Sequence, residues 1–339
     1  MNNITSWIHK NIFWIALYLG VSALSFELAY VFTIEPSDLL IVLDQVFNFG
    51  AINLQFLMSR AFEIEIRIDD YSSYSYNTVL LVSIFYSLFI IGAFLFRFIK
   101  AKRILSFCLS VILIGTVINV VKDLHWIATS EDVNGFVFLW LLKSLVVFIV
   151  VLMMLRKLLA SEERMNEDET ISGHPEFKLL RARWYDRLFN VYLDAFITIL
   201  VFSTVVFSYE NSIADYMEDF ISGRIGGLLL FAIFSTLYYL FFEGILKTTP
   251  GKILTNSRVV AFNGKPVGFG WIFLRTMSRR IPFNGLSFFG KIGWHDSISE
   301  TTVVKLTKEK QQHVRIYIAL FLIILGILLY FVFNDLRWY

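Results

Sequence analysis

The chain has 339 residues, of which 57% are hydrophobic and only 17% charged, against about 25% charged in an ordinary globular domain. One soluble core cannot hide such a mix, and a load of 35 Phe, 15 Tyr and 8 Trp suits helices that face lipid and carry aromatic residues at both interfaces. The formal net charge of +2 gives no electrostatic case for a nucleic-acid partner, and a single cysteine, Cys108, excludes an intramolecular disulfide and a cysteine metal cluster.

A helix needs about twenty mainly apolar residues to cross the hydrocarbon. Seven stretches meet that test: Ile12 to Phe32, Thr78 to Phe98, Ile104 to Val121, Phe136 to Leu155, Leu188 to Phe207, Ile225 to Phe242 and Val314 to Phe333. The first is too long for an ordinary signal peptide and has no clear small-x-small cleavage site, so it reads as a retained span. After it, Asp38 to Met58 is apolar but interrupted by Asp44, Gln45, Asn48, Asn53 and Gln55. Asp44 and Asn48 stand one helical turn apart, which favours a helix at the outer interface or packed in the bundle. If that stretch crosses instead, there are eight crossings and the N-terminus lies outside. Phe62, Ile64, Ile66 and Ile68 then alternate with Glu63, Glu65, Arg67 and Asp69, a period-two strand pattern.

Basic residues set the orientation, because cytoplasmic segments retain Lys and Arg. Arg97, Lys100, Lys102 and Arg103 separate the second and third spans, and seven Lys and Arg lie from Arg156 to Arg187. From Lys247 to Arg315 there are twelve Lys and Arg against three acids, Asp296, Glu300 and Glu309. These segments belong inside, and the acidic loops Lys122 to Asn134 and Tyr209 to Arg224 outside, with the N-terminus cytoplasmic. The polar stretch Ser161 to Pro175 marks a boundary. The expected organisation is an N-terminal membrane region of about four spans over residues 1–160, a polar cytoplasmic linker over 161–186, a domain of two spans over 187–313, and a C-terminal span and tail over 314–339. The fold class is therefore an all-α polytopic membrane protein of about seven transmembrane helices. It carries a small cytoplasmic β-hairpin or sheet and one interfacial amphipathic helix.

The fifth span carries the polar residues of greatest interest. Arg183, Arg187, Asn190, Asp194 and Thr198 follow at steps of four, three, four and four, which puts them on one helix face. Asp194 lies about 10 Å deeper than Arg187 at 1.5 Å per residue. A charge at mid-membrane costs about 2.5–3.5 kcal/mol or more, so Asp194 should face the bundle or a wet cavity and have a partner. Two readings stay open: an ion or proton site or charged gate, and a structural carboxylate that locks two helices while Arg187 snorkels to headgroups.

Glu243, at the end of the sixth span, reads as an ordinary interfacial acid. Pro250-Gly251 ends that helix and turns the chain. Ile253 to Phe262 reads as a strand, Asn263-Gly264 as a hairpin turn, and Thr301 to Leu306 as a third β-prone run able to join the hairpin. Between them, Gly270 to Phe289 is apolar with Arg275, Arg279 and Arg280, and is broken by Pro282 and Gly285. That pattern fits a helix lying in the inner interface with its three arginines on lipid headgroups. His295, beside Trp294, reads as a hydrogen-bonded structural residue in preference to a pH-sensitive group.

Taken in order, these residues resemble the RDD family of bacterial membrane proteins. Arg187 and Asp194 match its Arg and Asp about two turns apart. Thr249-Pro250-Gly251-Lys252 matches its turn, Arg258-Val259-Val260 with Gly264 its strand and turn, and His295-Asp296 before Thr301-Thr302-Val303-Val304 its late motif. The resemblance covers roughly Leu180 to Leu306. It departs from the family where a further hydrophobic helix often follows, because Pro282 and Gly285 interrupt that stretch.

The resemblance implies a bacterial inner-membrane protein linked to transport, including ion exchange. The expected path runs by Arg187, Asn190 and Asp194, with Asp296 at its cytoplasmic mouth. The alternative is a non-catalytic scaffold or assembly factor. No catalytic motif of the zinc-peptidase, phosphate-loop or nucleophile-elbow type occurs, and the five His are too scattered to suggest a metal site. The expectation is a protein without enzymatic activity, cofactor or metal. Its expected partners are the lipid bilayer, another membrane protein or itself, and no nucleic acid.

Overall fold

The computed structural model describes residues 2–32, 43–44, 47–48, 76–129, 135–168, 182–208, 223–262, 267–280 and 293–305. The alternating stretch 62–69, the Asn263-Gly264 turn with the motif glycine Gly264, the break at Pro282 and Gly285, and the expected span from Val314 to Phe333 lie outside the described residues. Five helices among the described residues are long and apolar enough to cross a membrane. The full count of seven crossings is not reached on these residues.

The elements in chain order are α1 (Asn2–Lys10), α2 (Ile12–Phe32), α3 (Tyr76–Ile99), α4 (Arg103–Thr129), α5 (Gly135–Asp168), α6 (Trp184–Ser208), α7 (Gly223–Leu246), α8 (Pro250–Leu254), β1 (Ser257–Ala261), α9 (Phe269–Ser278), α10 (Trp294–Ile298) and β2 (Thr301–Lys305). The span expected at Ile12 to Phe32 matches α2, and five others run past their expected ends, α4 and α5 furthest, by polar residues at their C-terminal ends. A helix is stopped by caps and breakers, whereas the end of an apolar run marks only the edge of the hydrocarbon.

The chain divides into two compact units, Met1–Arg164 with Leu200–Gly223, and Met165–Ile199 with Arg224–Tyr339. In the first unit α2 packs along α3 and α3 along α4. A methyl group on Gly20 would lie 2.9 Å from Ile90 Cγ1, and one on Gly92 would lie 2.9 Å from the Leu105 backbone nitrogen. Small residues at these crossings let the helices approach closely, the normal device where lipid supplies no hydrophobic drive. Asn48 donates to Asp44 Oδ1 at 2.7 Å, one helical turn back. Ser144 donates to Asp123 Oδ2 at 3.2 Å and ties α5 to α4. Along α5, Phe138, Leu139, Leu142, Leu145, Val146 and Ile149 are exposed, an apolar surface that only lipid or another apolar partner can cover.

In the second unit α7 ends at Leu246, and Lys247 takes the left-handed conformation (φ 59°) that commonly closes a helix. Proline 250 then opens α8 at its first turn, with the Thr249 side chain accepting from the Lys252 backbone N–H. A proline tolerated at that position fits its missing N–H, which would be unpaired there in any case. This helical turn absorbs Ile253, so the strand starts later than its β-branched run suggested. Asn256 (φ 51°) makes the corner into β1, a conformation Asn accepts more readily than most residues. Strand β1 pairs antiparallel with β2, from Ser257 opposite Lys305 to Ala261 opposite Thr301. The partner is thus the distant Thr301 run. Val259 of β1, Val267 and Ile272 of α9 form a small core, with Leu240 of α7 and Ala261 packed against it.

Candidate functional site

Of the face expected from Arg183 to Thr198, Arg187, Asn190, Asp194 and Thr198 are buried on α6, whereas Arg183 precedes the helix and is exposed. Asp194 has a full set of partners. Tyr238 Oη donates to Oδ1 at 2.9 Å, the Gly251 backbone N–H to Oδ1 at 2.9 Å and Thr249 Oγ1 to Oδ2 at 2.6 Å. Lys252 Nζ stands 3.8 Å from Oδ2. One carboxylate therefore holds α7 and the Thr249-to-Lys252 turn against α6. A methyl group on Gly251 would lie 2.7 Å from the Asn190 carbonyl oxygen and 2.9 Å from Asp194 Oδ1, so only glycine fits this approach without displacing backbone.

One turn earlier, Asn190 works in the same direction. Its Oδ1 accepts from Thr255 Oγ1 at 2.6 Å, and its Nδ2 donates to Ser257 Oγ at 3.1 Å. The residues Thr249 to Ser257 are thereby fixed along α6 by two amino acids four positions apart.

Lys252 links Asp194 to a second centre, Glu243 of α7. Glu243 is fully buried and accepts from Lys252 Nζ at 2.8 Å and from Arg279 Nη2 at 2.7 Å, with Arg275 Nε at 3.5 Å. The expected interfacial acid is thus the hub of three cations. Arg279 also stacks on Tyr239, 4.0 Å from the ring centroid, a favourable cation and ring arrangement. Arg275 continues to a third centre, where it donates to Asp296 Oδ1 and, at 2.7 Å, to Thr301 Oγ1. Asp296 also faces Arg187 Nη2 at 3.5 Å and His295 Nε2 at 3.3 Å.

These contacts relocate the arginines expected at the lipid surface. Arg275 and Arg279, one turn apart on α9 and its cap, point at Glu243, and Arg275 is only 1% exposed. Arg280 donates to Ser235 Oγ, to Thr236 Oγ1 at 3.0 Å and to the Ala232 carbonyl at 2.7 Å, so it docks on the side of α7. Buried carboxylates offer an arginine a better-ordered partner than a headgroup at the interface.

Burial and neighbouring charge set the protonation of the groups outside the spans. Burial, then the Arg275 charge, pushes His295 down to about 2, so it is neutral near pH 7. Burial alone would raise the Asp296 carboxyl, but the Arg275 charge, with Arg187 beside it, outweighs burial and holds the carboxyl below its ordinary range. Burial pulls the Lys252 ammonium below its usual value while Glu243 and Asp194 pull the other way.

A cavity of about 20 Å³ lies within this network, lined by Arg187, Asn190, Asp194, Lys252, Arg275 and Arg279 among others. Asp296 sits one layer behind it. Arg258 is half-buried on β1 opposite Val304 and is not part of the lining. Among the described residues no group of three or more His, Cys, Asp and Glu side chains is placed to hold a metal ion.

Residues 181–337 match the model of the RDD family. The C-terminal half of the chain is an RDD domain. With its apolar helices, this makes the chain an integral membrane protein. Among curated proteins and solved structures, nothing matches the chain. The motif pieces of the RDD domain now have physical roles. Asp194 receives the turn, Gly251 permits the approach, Lys252 joins two carboxylates, and His295-Asp296 receives Arg275 and Arg187. Sequence reasoning missed Glu243 and Arg275 as partners. The available signal was the i, i+4 pair Arg275 and Arg279 opposite a Tyr239-Glu243 pair of the same spacing.

Proposed function

We propose that this RDD protein is a non-catalytic transporter of the bacterial cytoplasmic membrane that moves small ions or solutes. Arg187, Asn190 and Asp194 line the path, and Asp296 stands toward its cytoplasmic mouth, where seven crossings with an inside N-terminus would put it. The supporting observation is the buried polar face of α6 bordering a charge-lined cavity. Intramembrane ionisable residues that face such a space mark ion pathways more often than not. A cavity of about 20 Å³ holds little more than one water-sized group, so passage requires the ion pairs around Lys252 to open in turn.

The test is flux from proteoliposomes containing wild type or Asp194→Asn, both checked for monodispersity. The transport reading expects flux in wild type and its loss in the variant; equal flux in both, or none in wild type, removes it. The second reading is a membrane scaffold that binds another membrane protein or a second copy. It is favoured by the full set of donors around Asp194, which suits a structural lock. A stable membrane partner that co-purifies with wild type and is lost on Asp194→Ala would support that reading.

A further inference from the structure

Helix α9 carries its charge on the wrong side for a helix lying on a membrane surface. Ile272, Arg275 and Thr276 are buried, with Arg279 half-buried beside them, and the guanidinium groups of Arg275 and Arg279 go to Glu243 and Asp296. With 3.6 residues per turn, the opposite side of α9 holds Gly270, Phe273, Leu274 and Met277, flanked by Phe269 and Trp271. Phe269, Trp271, Phe273 and Leu274 are exposed, and α9 has no charged residue besides Arg275. Trp294 and Ile298 of α10, which packs on α9, are exposed as well.

Contacts with α7 give the direction in which this apolar face travels. Near the Leu246 end of α7, a methyl group on Gly244 would stand 3.5 Å from the Phe269 ring. Leu240 packs against the core that contains Ile272. Arg279 stacks on Tyr239, and Arg280 reaches Thr236, Ser235 and the Ala232 carbonyl. From Gly244 to Ala232 these contacts cover twelve positions of α7, about 18 Å of helix axis. Side-chain reach accounts for part of that distance, so α9, ten residues and about 15 Å long, inclines along α7, antiparallel to it, instead of crossing its end. Helix α7 is itself long and apolar enough to cross a membrane, and Leu229, Ile233 and Leu237 along it are exposed. Ser235 lies about 16 Å from Leu246 along the axis, near the middle of a hydrocarbon layer about 30 Å thick. An arginine at that depth needs acceptors, and the Ala232 carbonyl, Ser235 and Thr236 supply them to Arg280.

We infer that α9 is a re-entrant half-helix that dips into the bilayer beside α7, from the face at which Leu246 emerges, with Phe269, Trp271, Phe273 and Leu274 against lipid. The partner of this exposed face is the acyl-chain layer, continuous with the lipid-facing side of α7. A surface helix turns its cations to the headgroups. Helix α9 turns them to buried carboxylates, which leaves hydrocarbon as the surrounding that its outer side suits. Phe269 and Trp271, in its first turn, then lie at the interfacial level where aromatic residues concentrate. The inference goes beyond the transport reading and does not depend on it.

The experiment places one nitroxide label at a time on the full chain carrying Cys108→Ser, reconstituted in phosphatidylcholine liposomes, and reads accessibility to oxygen and to nickel-EDDA. The sites are Leu274→Cys on α9 and Leu237→Cys on α7, both exposed. Leu274 is five positions from Phe269 and Leu237 seven from Gly244, so the two labels should report depths within about 5 Å of each other, with oxygen favoured at both. Nickel-EDDA favoured at Leu274, or a depth at the headgroups, places the helix in water or flat on the surface and overturns the inference. Low access to both reagents means that protein covers the face, either a second copy or residues 306–339 of the same chain, and overturns it too. Should Leu274→Cys not fold, wild-type protein is irradiated in liposomes with a phospholipid carrying a diazirine at mid-chain, and the adducts are located by mass spectrometry. Adducts within residues 269–274 are the expected result, and labelling of α7 without labelling there overturns the inference.

Discussion

Replacing Asp194 by Asn changes one atom and should separate a folding role from a transport role. The amide keeps an oxygen at the Oδ1 position, able to accept from Gly251 N–H and Tyr238 Oη, both at 2.9 Å. At the Oδ2 position it puts an N–H2 against Thr249 Oγ1, which donates there at 2.6 Å. A hydrogen bond to a charged group contributes about 1.5–3 kcal/mol. Lys252 retains Glu243 at 2.8 Å, so the penalty of about 3–5 kcal/mol for a wholly stranded buried charge is not reached. A net loss of roughly 2–3 kcal/mol corresponds to a fall in Tm of roughly 4–12 °C for a domain of this size. Asp194→Ala leaves Tyr238, Thr249 and Gly251 without their acceptor and Lys252 with Glu243 alone, and should fall further, to poor recovery on gel filtration. The assay is a thermal melt of the purified protein in detergent. A Tm for Asp194→Asn within about 1 °C of wild type, or an Ala variant no worse than Asn, would refute the assignment of Asp194 as the residue that receives the turn.

Gly251→Ala should cost about 1–3 kcal/mol through overpacking, because the atom it would strike, the Asn190 carbonyl oxygen at 2.7 Å, belongs to a helix backbone. Gly227→Ala, with nothing within 4 Å of the added methyl group, is the control and should melt as wild type does or slightly higher. Acidification should destabilise the second unit. His295 is held near 2 against an ordinary 6.5, so below about pH 6.5 the unfolded chain takes up a proton that the folded chain refuses. Stability is complete above that value and declines as pH falls. The depressed Asp296 carboxyl adds a loss below its ordinary value of 3.8. Melting from pH 8 to 4.5 should show a declining Tm that His295→Gln flattens. A wild-type Tm constant over that range contradicts the burial of a neutral imidazole.

The sequence carries the helices well because their signal is local. Phe32 ends both the apolar run and α2, and the single buried face from Arg187 to Thr198 follows from 3.6-residue periodicity alone. Pairings across the chain are a different matter. The spacing of Arg275 and Arg279 shows that they share a face, but a lipid phosphate and a buried glutamate satisfy a guanidinium by the same chemistry. Their choice of Glu243 depends on how α9 lies against α7, which no local pattern encodes. The same limit applies to β1. Its β-branched residues announce a strand, but a local Asn-Gly turn and a distant Thr-Val run both offer partners, and the register with Thr301 to Lys305 comes from the packing of α9 and α10 between them. The β propensity of Ile253 reflects a half-buried pleated surface, whereas Pro250 and the Thr249 cap have already started a helical turn there.

The most direct test concerns whether protein, and not lipid, surrounds the α6 carboxylate. Dicyclohexylcarbodiimide enters bilayers and modifies the carboxyl groups it can reach, and mass spectrometry of digested protein locates the adducts. In native membranes Asp194 and Glu243 should stay unmodified, held by Tyr238, Thr249, Gly251, Lys252 and Arg279, and both should react once the protein is denatured. Rapid modification of Asp194 in native membranes would mean that it opens to lipid, and the account of a sheltered charge network would be wrong.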